Sequence, residues 1–474
     1  MDNTKQVTNP YLPSWEYVPD GEPYVFGDRV YVYGSHDFFN GDVYCMGDYV
    51  CWSASVNDLG DWRYEGVIYR KDQDPQNVDL QGNLYAPDVT VGPDGRYYLY
   101  YVLSTWGVVS VAVCDTPAGQ YEFYGYVHYP DGTLLGEGRI EDPQFDPAVL
   151  TENGKTYLYT GFCGYMDANR HGPMATVLGE DMLTIVEDPV FIAPSSAYGA
   201  GSSFEGHEFF EAPSIRKKGD TYYFIYSSIL FHELCYATSK DPIQGFTYQG
   251  VIVSGGDLHI DSYKPAEKCA YYTANNHGSI VEINGEWYVF YHRHTNGTNY
   301  SRQGCLEKLK FASDGSIIQA EMTSCGSVVP LRGEGEYPTY LACNLFNDID
   351  VTYVPWSGWM DDRFPKITQA GADGDETPGY IANMRNSATA GFKYFECKGI
   401  RRITVRTKGY ATGRMVVRTA WGGEILGSIP VGYANVWHDT TADITIPDGI
   451  QALYFTFEGE GHLQFSAFVL ETDL

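Results

Sequence analysis

Residues 206–226 read GHEFFEAPSIRKKGDTYYFIY: an acid (Glu211), a proline, an apolar run, a glycine turn and an aromatic-rich run. Each such stretch predicts two short strands joined by a tight turn. Four further stretches follow the same order, each opened by one polar anchor residue: Asp20 in DGEPYVFGDRVYVY, Asp88 in DVTVGPDGRYYLY, Asp146 in DPAVLTENGKTYLY and His277 in HGSIVEINGEWYVFY.

The anchors recur at a nearly constant spacing. From residue 20 to residue 277 they lie 68, 58, 65 and 66 residues apart. A long period built from short β-patterned runs is typical of a β-propeller with one blade per repeat. We therefore predict an all-β protein with five four-stranded blades over residues 8–325. If the quoted stretches are the inner strands, four carboxylates and one histidine converge on a central cavity.

The repeat ends before residues 332–338, which have the composition of a linker. Short alternating runs beyond it, such as residues 402–406 and 453–457, predict a β-sandwich over residues 345–474. Tryptophans near the ends of these runs could stack on a sugar or belong to the core: Trp356, Trp359, Trp421 and Trp437.

The composition excludes several partners. The 61 acids and 31 bases give a net charge of −30, which disfavours nucleic acid and anionic membranes. No apolar run approaches 18 residues, so no membrane span is expected. The first seven residues lack the apolar core of a signal peptide, so we expect a cytoplasmic protein, or a secreted one if a leader was removed. The ten cysteines form no metal-binding pattern and predict reduced core thiols.

A cavity with several carboxylates suits glycoside hydrolysis. One protonated carboxyl group donates to the leaving oxygen, and one carboxylate activates water or attacks the sugar. A third carboxylate raises the pKa of the acid by like-charge repulsion. Other acids compete for two of the anchor positions: Asp142 with Asp146, and Glu205 and Glu208 with Glu211. The spacing to the glycine turn favours Asp146 over Asp142.

Residues 8–311 resemble glycoside hydrolase family 43, five-bladed propeller enzymes that cleave arabinose- and xylose-containing polymers with inversion. The matching pieces are Asn9–Pro10 with Pro19–Asp20, Ala86–Pro87–Asp88, Phe145–Asp146–Pro147, Glu211–Ala212–Pro213–Ser214–Ile215 and Asn276–His277–Gly278–Ser279. The resemblance implies that Asp20 is the general base and Glu211 the general acid. It implies that Asp146 tunes the acid and orients the substrate.

The resemblance also implies roles around the catalytic acids. His277 corresponds to a histidine that holds a metal ion, often calcium, or a water in the central channel. No cofactor is expected for the chemistry, and a structural calcium is expected near His277. Asp88 resembles a supporting acid, and we group it with His36, Arg293 and Arg302 as candidates for contacting the carbohydrate substrate.

The resemblance implies α-L-arabinofuranose first and β-D-xylose second as the sugar. Long loops at residues 195–207 and 257–276, on the rim of a narrow axial pocket, favour exo action. Three positions depart from the family pattern, Tyr85, Ala212 and Gly21, and leave the subgroup and sugar preference open. A β-D-galactofuranosidase of the same family is the alternative, since β-D-galactofuranose shares the furanose-ring hydroxyl arrangement of arabinose. Residues 345–474 resemble a family 6 carbohydrate-binding module, without a recognisable binding motif.

Three other readings remain open at this point. A retaining fructosidase-type propeller would carry Asn–Asp–Pro–Asn and Arg–Asp–Pro motifs, which are absent here. A non-catalytic sugar-binding propeller would lack one of the three carboxylates, and all three are present. A scaffold propeller leaves the convergence of acids at one repeat position unexplained.

Overall fold

The computed structural model describes residues 5–137, 144–349, 353–355 and 358–472. Within these residues the protein is all-β, as predicted, and its helical content is two 3₁₀ turns at Lys71–Gln73 and Thr339–Leu341. No helix in the same residues has the length and apolar character needed to cross a membrane.

Five antiparallel sheets form the five blades of the predicted propeller. Blades 1 and 2 consist of β1 (Glu22–Phe26), β2 (Arg29–Tyr33), β3 (Tyr49–Ser55) and β4 (Asp58–Tyr69), then β5 (Asp88–Val91), β6 (Tyr97–Leu103), β7 (Trp106–Cys114) and β8 (Glu122–Tyr126). Blades 3 and 4 consist of β9 (Ala148–Glu152), β10 (Lys155–Thr160), β11 (Met174–Leu178) and β12 (Ile185–Phe191), then β13 (Phe209–Lys218), β14 (Thr221–Ser228), β15 (Glu233–Ser239) and β16 (Thr247–Ser254). Blade 5 consists of β17 (Ser279–Ile283), β18 (Glu286–His294) and β19 (Arg302–Lys308).

The aromatic-rich strands are buried on both faces because neighbouring blades pack against each other. In β6, Leu99 and Tyr101 belong to the apolar cluster shared with blade 1, whereas Tyr98 and Tyr100 belong to the cluster shared with blade 3. This alternation follows from the two-residue period of a strand. The first two strands of blades 2 to 5 are joined by turns with a left-handed glycine, such as Gly95 with φ 82° and Gly285 with φ 82°.

Blade 5 departs from the predicted four strands, since its sheet has three. The N-terminal segment lies along the free edge of β19, where the backbone N–H of Tyr11 donates to the carbonyl of Gly304 at 3.3 Å. The Asn9 side chain donates to the carbonyl of Leu306 at 2.8 Å and accepts from its N–H at 2.9 Å. The two ends of the propeller sequence are thereby joined, because the Asn9 amide makes the pair of hydrogen bonds that the backbone of a neighbouring strand would make.

The C-terminal region is a curled sheet of ten strands. Its two longest strands, β28 (Ile400–Arg418) and β31 (Gly449–Thr472), pair along most of their length. The remaining members are β22 (Leu331–Arg332), β23 (Gly335–Pro338), β24 (Asn344–Phe346), β25 (Lys366–Thr368), β26 (Tyr380–Met384), β27 (Thr389–Cys397), β29 (Gly427–Val431) and β30 (Ala434–Asp443). A two-stranded sheet of β20 (Lys310–Phe311) and β21 (Ile317–Ile318) precedes it.

The predicted linker at residues 332–338 is part of this sheet. β22 pairs in parallel with β27, and β23 pairs with β31. Its polar and glycine residues therefore belong to edge strands rather than to a free connection. The apolar core of the C-terminal sheet continues into the interface between blades 4 and 5, so both regions share one buried cluster.

Candidate active site

A cavity of about 160 Å³ opens where the innermost strands of the propeller begin. Residues from all five blades line it: Asp20, Tyr44, Cys45, Tyr85, Ala86, Phe145, Asp146, Phe162, Glu211, Asn275, His277 and Arg302. The structure therefore brings together four of the five sequence anchors, the exception being Asp88.

Irregular backbone turns these four side chains toward the cavity. Asp20 and Asp146 each precede an innermost strand by two residues and have φ of 58° and 45°. Non-glycine residues adopt this left-handed conformation only where the surrounding structure enforces it, commonly at functional sites. His277 has the same position before β17. Glu211 lies within β13 at a register shift, the kind of bulge that re-aims a side chain.

The carboxylate of Asp20 is bound by cationic and polar neighbours. Arg302 donates from Nη1 to Asp20 Oδ1 at 2.9 Å, and His292 Nδ1 lies 3.2 Å from the same oxygen. Burial alone would raise the pKa of Asp20, but the Arg302 charge and the hydrogen bond with His292 hold it well below its ordinary value. Asp37 fixes Arg302 by accepting from its Nε at 2.8 Å and its Nη2 at 3.0 Å. Asp20 is thus ionised throughout the neutral range.

The carboxyl group of Glu211 has the opposite tendency. Burial raises its pKa, a hydrogen bond from Asn275 lowers it, and the negative charge of Asp20 raises it, with a net pKa of about 7. Asn275 donates from Nδ2 to Glu211 Oε1 at 3.2 Å. Glu211 is therefore protonated in much of the population near neutral pH.

The pKa of Asp146 is shifted in the same direction as that of Glu211. Burial and the charges of Glu211 and Asp20 raise its pKa well above the ordinary value, although the N–H of Ala212 donates to its Oδ2 at 3.2 Å. A third carboxylate was expected to raise the pKa of the acid. In the structure, the like charge that raises the pKa of Glu211 is that of Asp20.

His277 stands between two of the acids. Its Nδ1 lies 3.8 Å from Asp20 Oδ1 and 3.8 Å from Asp146 Oδ2. Burial lowers its pKa to about 4 against the attraction of Asp20, so the imidazole is neutral at neutral pH. The cavity therefore contains one carboxylate with a lowered pKa, Asp20, and two carboxyl groups with raised pKa values, Glu211 at about 7 and Asp146. Separated pKa values of this kind are what acid–base cleavage of a glycosidic bond requires.

Comparison with known proteins places the chain in a family. The model of glycosyl hydrolases family 43 matches residues 17–317. The chain belongs to this family. A xylosidase/arabinosidase from Thermoclostridium stercorarium is 68% identical over 471 residues, which are 99% of this chain and 100% of that protein.

Two solved family 43 structures cover different shares of the chain. A β-xylosidase/α-arabinofuranosidase from a compost microbial metagenome, in complex with xylotriose and calcium-free, is 27% identical over 67% of this chain and 98% of its own, with a TM-score of 0.51. An arabinoxylan arabinofuranohydrolase from Bacillus subtilis, in complex with cellotetraose, covers 99% of both chains at 20% identity and a TM-score of 0.52, which shows the shared fold. Family membership makes this protein a glycoside hydrolase and excludes the scaffold and fructosidase-type readings.

Within this family 43 propeller, Asp88 lies outside the cavity lining. It begins β5, so it aligns with Glu22 at the start of β1, and the blade 2 counterpart of Asp20 is Ala86. Asp88 accepts from Tyr24 Oη at 2.8 Å and from the N–H of Val149 at 2.8 Å. The prediction that Asp88 contacts substrate is therefore corrected: it is a buried structural acid, misplaced by two residues in the sequence register.

Asp88 belongs to a second buried group, which we call the lower layer: Glu22, Tyr24, Asp88, Ser214, Arg216 and Ser279. Arg216 donates from Nη2 to Glu22 Oε2 at 2.6 Å, and its guanidinium lies 4.2 Å from the centre of the Tyr24 ring. Burial, opposed by Arg216, raises the pKa of Glu22 to about 8 and that of Asp88 to about 6. One arginine thus compensates two carboxyl groups of which only one needs to be ionised.

Two further candidates for substrate contact are also placed elsewhere. His36 contacts Glu16 Oε1 at 2.9 Å and the carbonyl of Asp48 at 3.0 Å, away from the cavity lining. Arg293 is buried and donates to the carbonyls of Tyr340 and Ala342 in the C-terminal region. Successive side chains of a strand lie on opposite faces, and Arg293 on β18 lies on the face away from the cavity that Arg302 lines. Arg302 lines the cavity, as predicted, although its contacts are with Asp20 and Asp37.

Sequence reasoning missed part of the cavity lining. Asn275 had a local signal, since it directly precedes the Asn276–His277–Gly278–Ser279 motif. The aromatic walls had no distinguishing signal among 41 tyrosines and 23 phenylalanines. Glu205 and Glu208, the competitors of Glu211, do not line the cavity. Asp142 and Trp356 lie outside the described residues.

Proposed function

We propose that this hydrolase is an inverting, exo-acting enzyme that removes terminal α-L-arabinofuranosyl or β-D-xylosyl residues from plant-type glycans. The observation that carries the proposal is the cavity that Asp20, Asp146 and Glu211 line together, where the pKa of Asp20 is lowered and those of Asp146 and Glu211 are raised. The name of the 68% identical relative supports the choice of sugars. A cavity of about 160 Å³ suits one sugar ring, which supports removal of terminal units.

In the proposed reaction, Glu211 donates its proton to the glycosidic oxygen as the bond to the leaving group breaks. Asp20 accepts a proton from a water that attacks the anomeric carbon from the opposite face. Arg302 and His292 hold the Asp20 carboxylate in one orientation. Asp146 forms a hydrogen bond with a sugar hydroxyl and so positions the ring between the two catalytic groups.

Product stereochemistry tests the mechanism directly. Proton NMR during the first turnovers should show β-L-arabinofuranose released from an α-L-arabinofuranoside, or α-D-xylose from a β-D-xyloside. Release of the same anomer as the substrate would contradict inversion.

A panel of aryl arabinofuranosides, xylosides and galactofuranosides identifies the sugar, and a dominant galactofuranosidase activity would favour the alternative. Oligosaccharides appearing before monosaccharides from arabinoxylan or arabinan would contradict exo action.

A calcium ion at His277 is a separate part of the proposal. The neutral imidazole, with Asp20 and Asp146 oxygens at 3.8 Å, offers a nitrogen and neighbouring oxygens that fit an ion completed by water. Calcium prefers six to eight oxygen ligands, so water would supply most of its shell. Such an ion would add positive charge beside the acids, and His277 would hold it. No step of the mechanism above depends on it.

We also propose that the C-terminal sheet binds the same carbohydrates, as its resemblance to carbohydrate-binding modules implies. Trp421 and Trp437 each line a surface depression, and the Trp437 residue is 38% exposed. Aromatic faces stack on sugar rings. Affinity electrophoresis in arabinoxylan should show retardation that Trp421→Ala or Trp437→Ala removes. Unretarded migration of the whole protein would contradict this part.

A further inference from the structure

Asn275 connects Glu211, the proposed acid, to a second histidine, His294. Its Nδ2 donates to Glu211 Oε1 at 3.2 Å, while its Oδ1 lies 3.0 Å from His294 Nε2. Burial and the neighbouring His292 and Arg302 charges hold the pKa of His294 well below its ordinary value, so its imidazole is neutral. A neutral imidazole with its proton on Nε2 donates to Oδ1 and thereby fixes which end of the Asn275 amide faces Glu211.

The segment that carries Asn275 is attached to the C-terminal region by backbone hydrogen bonds. The N–H of Leu345 donates to the carbonyl of Ala270, and the N–H of Val354 donates to the carbonyl of Thr273, both at 2.8 Å. Residues 270–273 therefore run along the C-terminal region immediately before Asn275. Tyr271 also donates from its hydroxyl to the carbonyl of His294 at 2.8 Å, which ties this segment to β18.

A buried ion pair holds Asp257, whose neighbour Gly256 accepts a hydrogen bond at its carbonyl from the N–H of Ala270 at 2.8 Å. Lys393 of β27 is fully buried, and its Nζ lies 3.1 Å from Asp257 Oδ2 and 3.2 Å from Glu321 Oε2. Asp257 also accepts from Tyr263 Oη and from the N–H of Met322. A buried pair that loses one partner leaves an uncompensated charge, so Lys393 enforces one arrangement of residues near Asp257.

Strand β18 is held from the same side. Arg293, between His292 and His294, donates from Nη1 to the carbonyl of Ala342 at 2.7 Å and from Nη2 to that of Tyr340 at 2.5 Å. The C-terminal sheet thus contacts both supports of the acid: the segment with Asn275 and the strand with His294.

We infer that Asn275 and His294 are positioning residues for Glu211 and that the C-terminal sheet, through Lys393 and Arg293, holds them in place. This inference rests on the proposed role of Glu211 as the acid. The C-terminal sheet is then part of the machinery that delivers the proton, in addition to any carbohydrate it binds. A poorly oriented acid fails mainly with leaving groups that need protonation.

The test compares two substrates of the same sugar, a 2,4-dinitrophenyl glycoside and a phenyl glycoside, in Asn275→Ala. We expect kcat/KM for the phenyl glycoside to fall about tenfold or more, and for the dinitrophenyl glycoside by about threefold or less. Removing a hydrogen bond that stabilises the Glu211 carboxylate also raises its pKa, so the basic limb of the pH profile should move to higher pH. Equal losses on both substrates with an unmoved basic limb would overturn the role of Asn275.

The interdomain part is tested with Lys393→Met and with the charge-compensated double variant Lys393→Met/Asp257→Asn, which avoids an unpaired buried carboxylate. Both should selectively slow the phenyl glycoside, by about threefold to tenfold. The matched control is Arg406→Met, which breaks an ion pair with Asp439 on the surface of the same sheet. A folded double variant that behaves like the control would overturn this part.

Glu211→Gln separates failure of the inference from failure of the proposed function. If this variant discriminates between the two glycosides and Asn275→Ala does not, only the inference fails. If Glu211→Gln does not discriminate either, Glu211 is not the acid and the proposed function fails with it.

Discussion

Two layers of buried acids surround the axis of this propeller, and they differ in how their charges are compensated. In the upper layer, Asp20, Asp146 and Glu211 face a cavity, and their pKa values are pushed in different directions. In the lower layer, Glu22 and Asp88 lie two residues further along the innermost strands and share Arg216. Residue type is the same in both. Each layer has one arginine, Arg302 or Arg216, so access to the cavity is what separates the acid–base site from the structural one.

The largest expected difference between the layers is in turnover. Glu211→Gln should lower kcat/KM on natural glycans by about 10²–10⁴-fold, with a smaller loss on aryl glycosides of low leaving-group pKa. Asp20→Asn should lower it on all substrates, because water activation is needed whatever group leaves. Asp88→Asn is the lower-layer control and should retain most of the activity. Near-normal turnover of Asp20→Asn would contradict the assignment of the base.

Arg216→Met, in the lower layer, should affect the stability of the protein rather than its turnover. It leaves the Glu22–Asp88 pair, of which Asp88 has the lower pKa, buried without its cation, and we expect the free energy of unfolding at neutral pH to fall by about 3–5 kcal/mol. Lys240→Met is the control, because its partner Asp220 is 86% exposed and such pairs contribute about 0–1 kcal/mol. Urea denaturation measures both. Arg216→Met with wild-type stability would show that the lower layer needs no cation.

The pH profile sharpens the comparison, because only the upper layer should control it. Glu211 has a raised pKa of about 7 and must be protonated, so kcat/KM should be highest below that pH and fall about tenfold per unit above it. Asp20 stays ionised over the same range and contributes no limb there. Asp88→Asn should leave the midpoint unmoved. A midpoint that shifts in this variant would mean that the two layers titrate together.

The smallest expected effect concerns calcium at His277. If an ion lies beside the upper layer, exhaustive chelation should lower Tm by a few degrees and activity severalfold, and added calcium should restore both. Magnesium is the matched control, since it demands a tighter octahedral shell. Unchanged Tm and activity after chelation would contradict a functional ion.

Periodicity predicted the propeller because its signal is repeated five times, and it predicted the positions of Asp20, Asp146, Glu211 and His277. It failed in blade 2. There Asp88 was aligned with Asp20 because both are acids, although the residue equivalent to Asp20 is Ala86, two positions earlier. Arg293 and His36 were misplaced because sequence proximity to a strand end does not say which way a side chain points. Asn275 and the aromatic walls depend on contacts between distant segments. The ten-stranded sheet was foreseen as a sandwich, but its edge strands at residues 331–338 lacked the alternation that identifies a strand.

The pairing of Asp20 with Arg302 has a consequence for the synthesis of this enzyme. The two residues are 282 positions apart, so the ribosome adds the guanidinium roughly 15–55 s after the carboxylate, at about 5–20 residues per second. Throughout that interval the nascent chain contains Asp20 without Arg302 and Asn9 without its partner Leu306. No chain released before blade 5 is made can assemble the catalytic cavity, and the emerging blades must stay soluble until their last neighbour arrives.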